Sequence, residues 1–164
     1  MKMLNHLVHL STVALLALAA APTLATAADD APAAAASMSP EGYWRTIDDE
    51  THKPKSIVNI YTQDGKLYGK IVKLFRAPTE EQAPLCDKCT DELKDKPVIG
   101  MRILWDLVQD GGEWTGGHIL DPNNGKIYKS KLEVVEGGGQ LEMRGYIGFS
   151  LIGRTQTWER VAKP

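Results

Sequence analysis

The sequence predicts an all-β domain, an up-and-down antiparallel β-barrel of about eight strands, behind an N-terminal export signal. Three observations carry this. Short runs of β-forming residues follow one another between Gly, Pro, Asn and Asp turn signals, at the spacing of a sandwich or barrel. Polar and apolar residues alternate within the runs: Tyr128, Ser130, Leu132 and Val134 share one face, and Lys129, Lys131 and Glu133 the other. That period of two is what a sheet with one wet face requires. No segment carries a long 3.6-residue apolar stripe. In an up-and-down order each strand pairs with its sequence neighbour, so closing the sheet leaves no open edge.

The chain has 164 residues, with 19 Lys+Arg against 21 Asp+Glu and a formal net charge of −2. That balance offers no basic surface for nucleic acid. Met1-Lys2-Met3 makes a short positive start, Leu7 to Leu24 is uncharged and rich in Leu, Val and Ala, and Ala25-Thr26-Ala27 supplies small residues for cleavage. Residues 1–27 thus read as a signal peptide. No Cys lies near the cleavage point to carry a lipid, and no later stretch approaches the ~20 apolar residues of a membrane span. The expectation is a periplasmic or secreted protein with no membrane span once the signal is cleaved. Cleavage removes Lys2, His6 and His9, leaving only His52 and His118 as histidines. Residues 28–39 are nearly all Ala, Asp, Pro and Ser. They lack the large apolar side chains that offset ordering entropy and read as a disordered leader. The barrel domain is expected over residues 40–164, about 125 residues, enough for one modest core.

The strands follow in order. Gly42 to Ile47 is the first, and Ser56 to Thr62 the second. Asp64-Gly65 then favours a tight hairpin, because Gly accepts positive φ, into Lys66 to Phe75. Val98 to Leu104 is apolar and fits a strand or irregular structure, after a short helix within Thr90 to Lys96. Glu113 to Leu120 runs into Asp121-Pro122-Asn123-Asn124-Gly125, the strongest turn signal in the chain. Lys126 to Val135, the turn Gly137-Gly138-Gly139, Gln140 to Ile147 and Gly153 to Val161 complete the set. Gly116-Gly117 and Gly145 inside strands suggest bulges, or the close approach of another backbone or a ligand.

Four groups of residues carry chemical information. Cys86-Asp87-Lys88-Cys89 has the spacing of a redox dithiol, half a zinc site or a small disulfide loop. Zinc needs about four ligands and finds no second Cys pair. A redox dithiol needs a helix N-terminus within a βαβ unit, whereas this pair sits in a polar, Pro-flanked loop. A structural disulfide is the expectation, made in an oxidising compartment. Second, Gly42-Tyr43-Trp44 on the first strand, with Arg160 on the last, resembles the closure of lipocalin-like (calycin) barrels. There a guanidinium lies over the indole. Third, Asp121 to Gly125 is explained by turn chemistry, and is short of carboxylates for Ca²⁺. Fourth, Tyr68, Trp114, Tyr128, Arg144, Arg154 and Trp158 are candidates to line a ligand site, since an aromatic interior with a few polar groups suits a small molecule. Tyr128 shares the Leu132 face, whereas Arg144 shares the Glu142 face, which reads as solvated. No nucleophile–base set, phosphate loop or dinucleotide fingerprint is present, so no catalytic residue, metal or cofactor is expected.

Several longer stretches carry a resemblance: Gly65-Lys66-Leu67-Tyr68-Gly69-Lys70-Ile71, Trp114 to Tyr128, Leu141 to Gly148 and Gly153 to Val161. Together, over Pro40 to Val161, they resemble an exported bacterial family built on domain of unknown function 2147. The resemblance implies a lipocalin-like barrel and a cell-envelope location, and brings no catalytic residues with it. The leading functional expectation is an exported barrel that binds a small amphipathic or hydrophobic ligand. The alternatives are a solid barrel whose loops meet a protein or glycan, and a thiol oxidoreductase using Cys86 and Cys89.

Overall fold

A computed structural model describes residues 38–164. The expected signal peptide, and the leader up to residue 37, lie outside the described residues. Eight strands close into one antiparallel barrel in sequence order, β1 pairing with β8. They are β1 (Gly42–Ile47), β2 (Pro54–Gln63), β3 (Lys66–Leu74), β4 (Arg102–Asp110), β5 (Glu113–Asp121), β6 (Lys126–Val135), β7 (Gln140–Tyr146) and β8 (Gly153–Val161). Two one-turn 3-10 helices, Asp91–Leu93 and Glu136–Gly138, sit in connections. The up-and-down eight-stranded barrel read from the alternation is the fold observed.

Turn chemistry sets the registers. Asp64 and Gly65 both have positive φ, 51° and 75°. That is the geometry whose twist matches a hairpin, and it pairs Gln63 with Lys66. Asp121 accepts from the backbone N–H groups of Asn123, Asn124 and Gly125, which closes the β5–β6 turn. β4 departs from expectation. It begins at Arg102, because Gly100 (φ 90°) and the Met101 N–H···O Val98 bond (3.2 Å) make residues 98–101 a turn. Asp106 then takes φ 62°. This bulge resets the alternation, so Ile103, Leu104 and Leu107 are all buried and the period of two is lost from the sequence. A second irregularity lies between Trp114 and Gly117. The observed β7 ends at Tyr146, so Ile147, expected as the last residue of this strand, stands exposed in the following loop.

The barrel has two unlike ends. The tight connections β2–β3, β4–β5 and β6–β7 are at one, and the longer connections β1–β2, β3–β4, β5–β6 and β7–β8 at the other. The tight end is filled: Trp44, Leu67, Leu107, Leu132, Val134 and Leu141 are buried there. Among the described residues no helix is long and apolar enough to cross a membrane.

Candidate functional site at the barrel mouth

Side-chain size along the interior rows explains where space is left. Cross-strand partners share a face of the sheet. Val134, Leu141 and Trp158 form one interior row; the next is Leu132, Met143 and Gln156; the next is Ser130, Gly145 and Arg154. Each step toward the long-loop end trades large apolar side chains for small or polar ones. β1 and β2 do the same: Trp44 gives way to Thr46, and Ile60 and Val58 give way to Ser56. Large side chains fill the tight end, and the long-loop end opens as a cavity of about 1030 Å³.

Ile71, Ile119, Met143 and Trp158 give this cavity an apolar wall, and Thr46, Ser56, Tyr128 and Gln156 place polar atoms among them. The Thr46 and Ser56 hydroxyls are buried and pair with each other at 2.8 Å, and the Ser56 backbone N–H donates to Thr46 Oγ1 at 3.1 Å. A polar chain runs from depth to rim. Trp158 Nε1–H donates to Gln156 Oε1 (3.3 Å), Gln156 Nε2 donates to Asp49 Oδ2 (2.6 Å), and Arg154 pairs with the same Asp49 oxygen. The mouth therefore offers an apolar interior with a hydrogen-bonding edge, the composition of a small-molecule site.

The six predicted ligand residues separate. Tyr128, Arg154 and Trp158 line the cavity. Trp114 faces inward opposite Leu132, but toward the filled end, where it packs against the core. Tyr68 lies on the outer wall, because Leu67 and Ile71 on either side point in. It stacks on Tyr61 (6.0 Å between centroids), lies under Arg102 (5.1 Å) and donates to Asp106 Oδ1 (3.2 Å). The Lys66 ammonium donates to that oxygen at 3.0 Å, and holds the Asp106 carboxyl below the usual carboxylate range. Burial, then the bond to Asp106, pushes the Tyr68 hydroxyl up. Arg144 is also outside, on the Glu142 face as its alternation implies, and donates to Ser150 O (2.6 Å), Thr155 Oγ1 (2.8 Å) and Leu151 O (3.2 Å). It braces the β7–β8 loop. Sequence reasoning missed Thr46, Ser56 and Asp49. The shrinking of interior side chains along β1 and β2 is the signal that would have found the first two.

At the filled end, Arg160 lies over the Trp44 ring at 4.2 Å, and the two residues are cross-strand partners. Trp44 Nε1–H donates to Pro40 O at 2.8 Å. Gly42 has φ 126°, and a Cβ there would sit 3.2 Å from Arg160 Nη1. These contacts tie the first strand to the last.

Cys86 and Cys89 form a disulfide, and both are buried. No partner thiol reaches the bond without opening the loop, which argues against thiol exchange. The loop presses on the β5–β6 turn: Cys86 Sγ contacts Pro122 O at 3.5 Å, and a Cβ on Gly125 would overlap the Lys88 carbonyl. Gly125 thus answers two needs, a positive φ of 70° and a close backbone approach. Among the described residues no group of three or more His, Cys, Asp and Glu gathers to hold a metal ion.

Comparison with known proteins agrees with this architecture. A family model described as an uncharacterized protein conserved in bacteria, domain of unknown function 2147, matches residues 42–160. A solved structure of a protein from the human pathogen Helicobacter pylori, described as belonging to the lipocalin family, superimposes with a TM-score of 0.66 at 21% identity. The alignment covers 77% of this chain and 85% of that one, and shows a shared fold. No curated protein matches the chain.

Proposed function

The chain belongs to the bacterial family of domain of unknown function 2147, and from that premise we propose that it is an exported binding protein for one small amphipathic molecule. The observation that carries this is the cavity of about 1030 Å³ at the barrel mouth. Apolar area leaving water against Ile71, Ile119, Met143 and Trp158 supplies the affinity. Gln156 and the Asp49–Arg154 pair offer donors and acceptors to a polar end at the rim. Arg154 is already paired, so a ligand group that hydrogen-bonds without a full charge suits the rim better than a lone anion. The polar groups of the mouth bond to one another rather than forming a nucleophile–base pair, which supports binding rather than catalysis. A location outside the cytoplasm is supported by the uncharged apolar stretch after Lys2 and by the Cys86–Cys89 disulfide.

Trp158 is the natural reporter. Trp44 lies under Arg160 at the filled end, Trp105 stacks on His118 and Trp114 packs on the core, whereas Trp158 borders the cavity. Titration with fatty acids, phospholipids and apolar metabolites should change its fluorescence, and native mass spectrometry should show a one-to-one adduct. Trp158→Phe should abolish the optical change while the adduct persists. A panel that gives neither signal would sink the reading.

A further inference from the structure

The same mouth carries an apolar loop that the cavity does not explain. Between β7 and β8 the chain reads Ile147-Gly148-Phe149-Ser150-Leu151-Ile152. Ile147 is 65% exposed, Phe149 80%, Leu151 90% and Ile152 70%. Isolated exposed apolar residues are ordinary; four within six residues on one loop are not. The loop is also held in shape. The Arg144 guanidinium donates to Ser150 O and Leu151 O, and Ile152 N–H donates to Phe149 O at 3.0 Å. The apolar side chains are therefore presented outward by a braced turn, not left exposed by a slack one.

We propose that this loop docks the barrel, mouth first, onto a lipid bilayer surface. Three features favour a bilayer over a protein partner. The apolar side chains protrude from one six-residue loop, whereas a stable protein interface takes about 20–30 residues a side. A basic collar of two cations stands behind the tip: Arg144 on β7, and Lys129 opposite Tyr146 on β6. Among the described residues neither Lys129 nor Arg144 forms an ion pair. Apolar tip and basic collar together match the acyl boundary and phosphate layer of an interfacial anchor. Finally, Ile147 and Ile152 also line the cavity, so the apolar surface is continuous from loop to interior. Docking stands on the loop and collar and does not depend on what fills the cavity.

The full chain is mixed with vesicles of phosphatidylethanolamine and phosphatidylglycerol, and hydrogen–deuterium exchange is followed by mass spectrometry. This readout is local, so binding by the apolar N-terminal stretch does not mimic the result. Vesicles should protect the segment from Ile147 to Ile152. Phe149→Asp with Leu151→Asp should abolish that protection and lower the loop's vesicle affinity by about tenfold or more, since two apolar contacts are lost. Both positions are exposed, so the unfolding midpoint should stay at that of the parent. Lys129→Glu should weaken protection by vesicles containing phosphatidylglycerol and leave protection by zwitterionic phosphatidylcholine vesicles unchanged. The proposal is overturned if vesicles leave the loop's exchange unchanged, or if the double variant is protected like the parent. It falls equally if the loop becomes protected in concentrated protein without lipid, which would make it a contact between copies of this chain.

Discussion

Replacing Arg160 by Ala should remove the device that closes the barrel. Its guanidinium lies 4.2 Å from the Trp44 ring centre and donates to Gly138 O (2.5 Å), Ser39 O (2.6 Å) and Glu41 O (3.0 Å). Stacking on the indole contributes about 1 kcal/mol. The bonds to Gly138 and Ser39 are part-buried, and each contributes about 1 kcal/mol net. The Glu41 bond is exposed, so water replaces it at little cost. The expected loss is about 3 kcal/mol, which for a domain of this size lowers the melting temperature by about 10 °C. Arg160→Lys keeps the cation, but an ammonium cannot fork to several carbonyls while lying flat on the ring. It should recover about half of the loss. Urea unfolding followed by circular dichroism, with calorimetry beside it, measures both variants. Ligand titration at the mouth should be unchanged in each, because Arg160 is at the opposite end. A Arg160→Ala variant within 1 kcal/mol of the parent would refute the closure argument, and equal losses for Ala and Lys would refute the role given to the fork.

Three further outcomes follow from the geometry. Replacing Cys86 and Cys89 by Ser should cost about 2 kcal/mol, the chain-entropy value for so short a loop; in the parent, native-state alkylation after mild reductant should label neither, as both are buried. Gly117→Ala should cost about 3 kcal/mol in urea unfolding, because its Cβ would sit 2.5 Å from Leu107 Cγ and from the Trp105 carbonyl; Gly145→Ala, whose nearest neighbour is 3.5 Å away, should keep stability within about 0.5 kcal/mol yet weaken ligand binding by narrowing the cavity. The Asp106 carboxyl is held low first by its bond to Lys66, so its contribution is complete above its unfolded pKa of about 4 and is lost as pH falls through the lower folded value; Asp106→Asn should flatten the dependence of the unfolding midpoint on pH in that acid range.

The barrel was legible because β6 and β7 alternate, and because Asp64-Gly65 and Asp121 to Gly125 mark turns that permit little else. β4 was poorly legible for a local reason. Asp106 adopts φ 62°, so Leu104 and Leu107 both face inward with two outward residues between them, and no fixed period describes the strand. The candidate site was half legible. Tyr128 could be assigned from the face it shares with Leu132, whereas the place of Trp158 opposite Leu141 came with the β7–β8 register. Tyr68 could not: aromatic character made it a cavity candidate, while its position between Leu67 and Gly69 already placed it outside. Asp49 comes from the β1–β2 loop, and its meeting with Gln156 and Arg154 exists only once β1 and β8 close the barrel. Contacts made by closure bring together residues more than a hundred positions apart, and no local pattern encodes them.

The two sides of the mouth are secured by unequal means, and this bears on how a ligand reaches the interior. On one side the long β3–β4 connection is stapled by the Cys86–Cys89 disulfide and seated backbone to backbone on the β5–β6 turn at Gly125. Moving it would break a close-packed contact around two buried sulfurs. On the other side the β1–β2 connection meets β8 through Asp49, held by Arg154, whose side chain is 64% exposed, and by one bond to Gln156. An exposed ion pair contributes only about 0–1 kcal/mol, far less than the packed contact opposite. Local opening follows the weakest contacts first. The Asp49–Arg154 side, which neighbours the braced apolar β7–β8 loop, is therefore where the mouth opens at least cost, and the filled rows from Trp44 to Trp158 below it need not move.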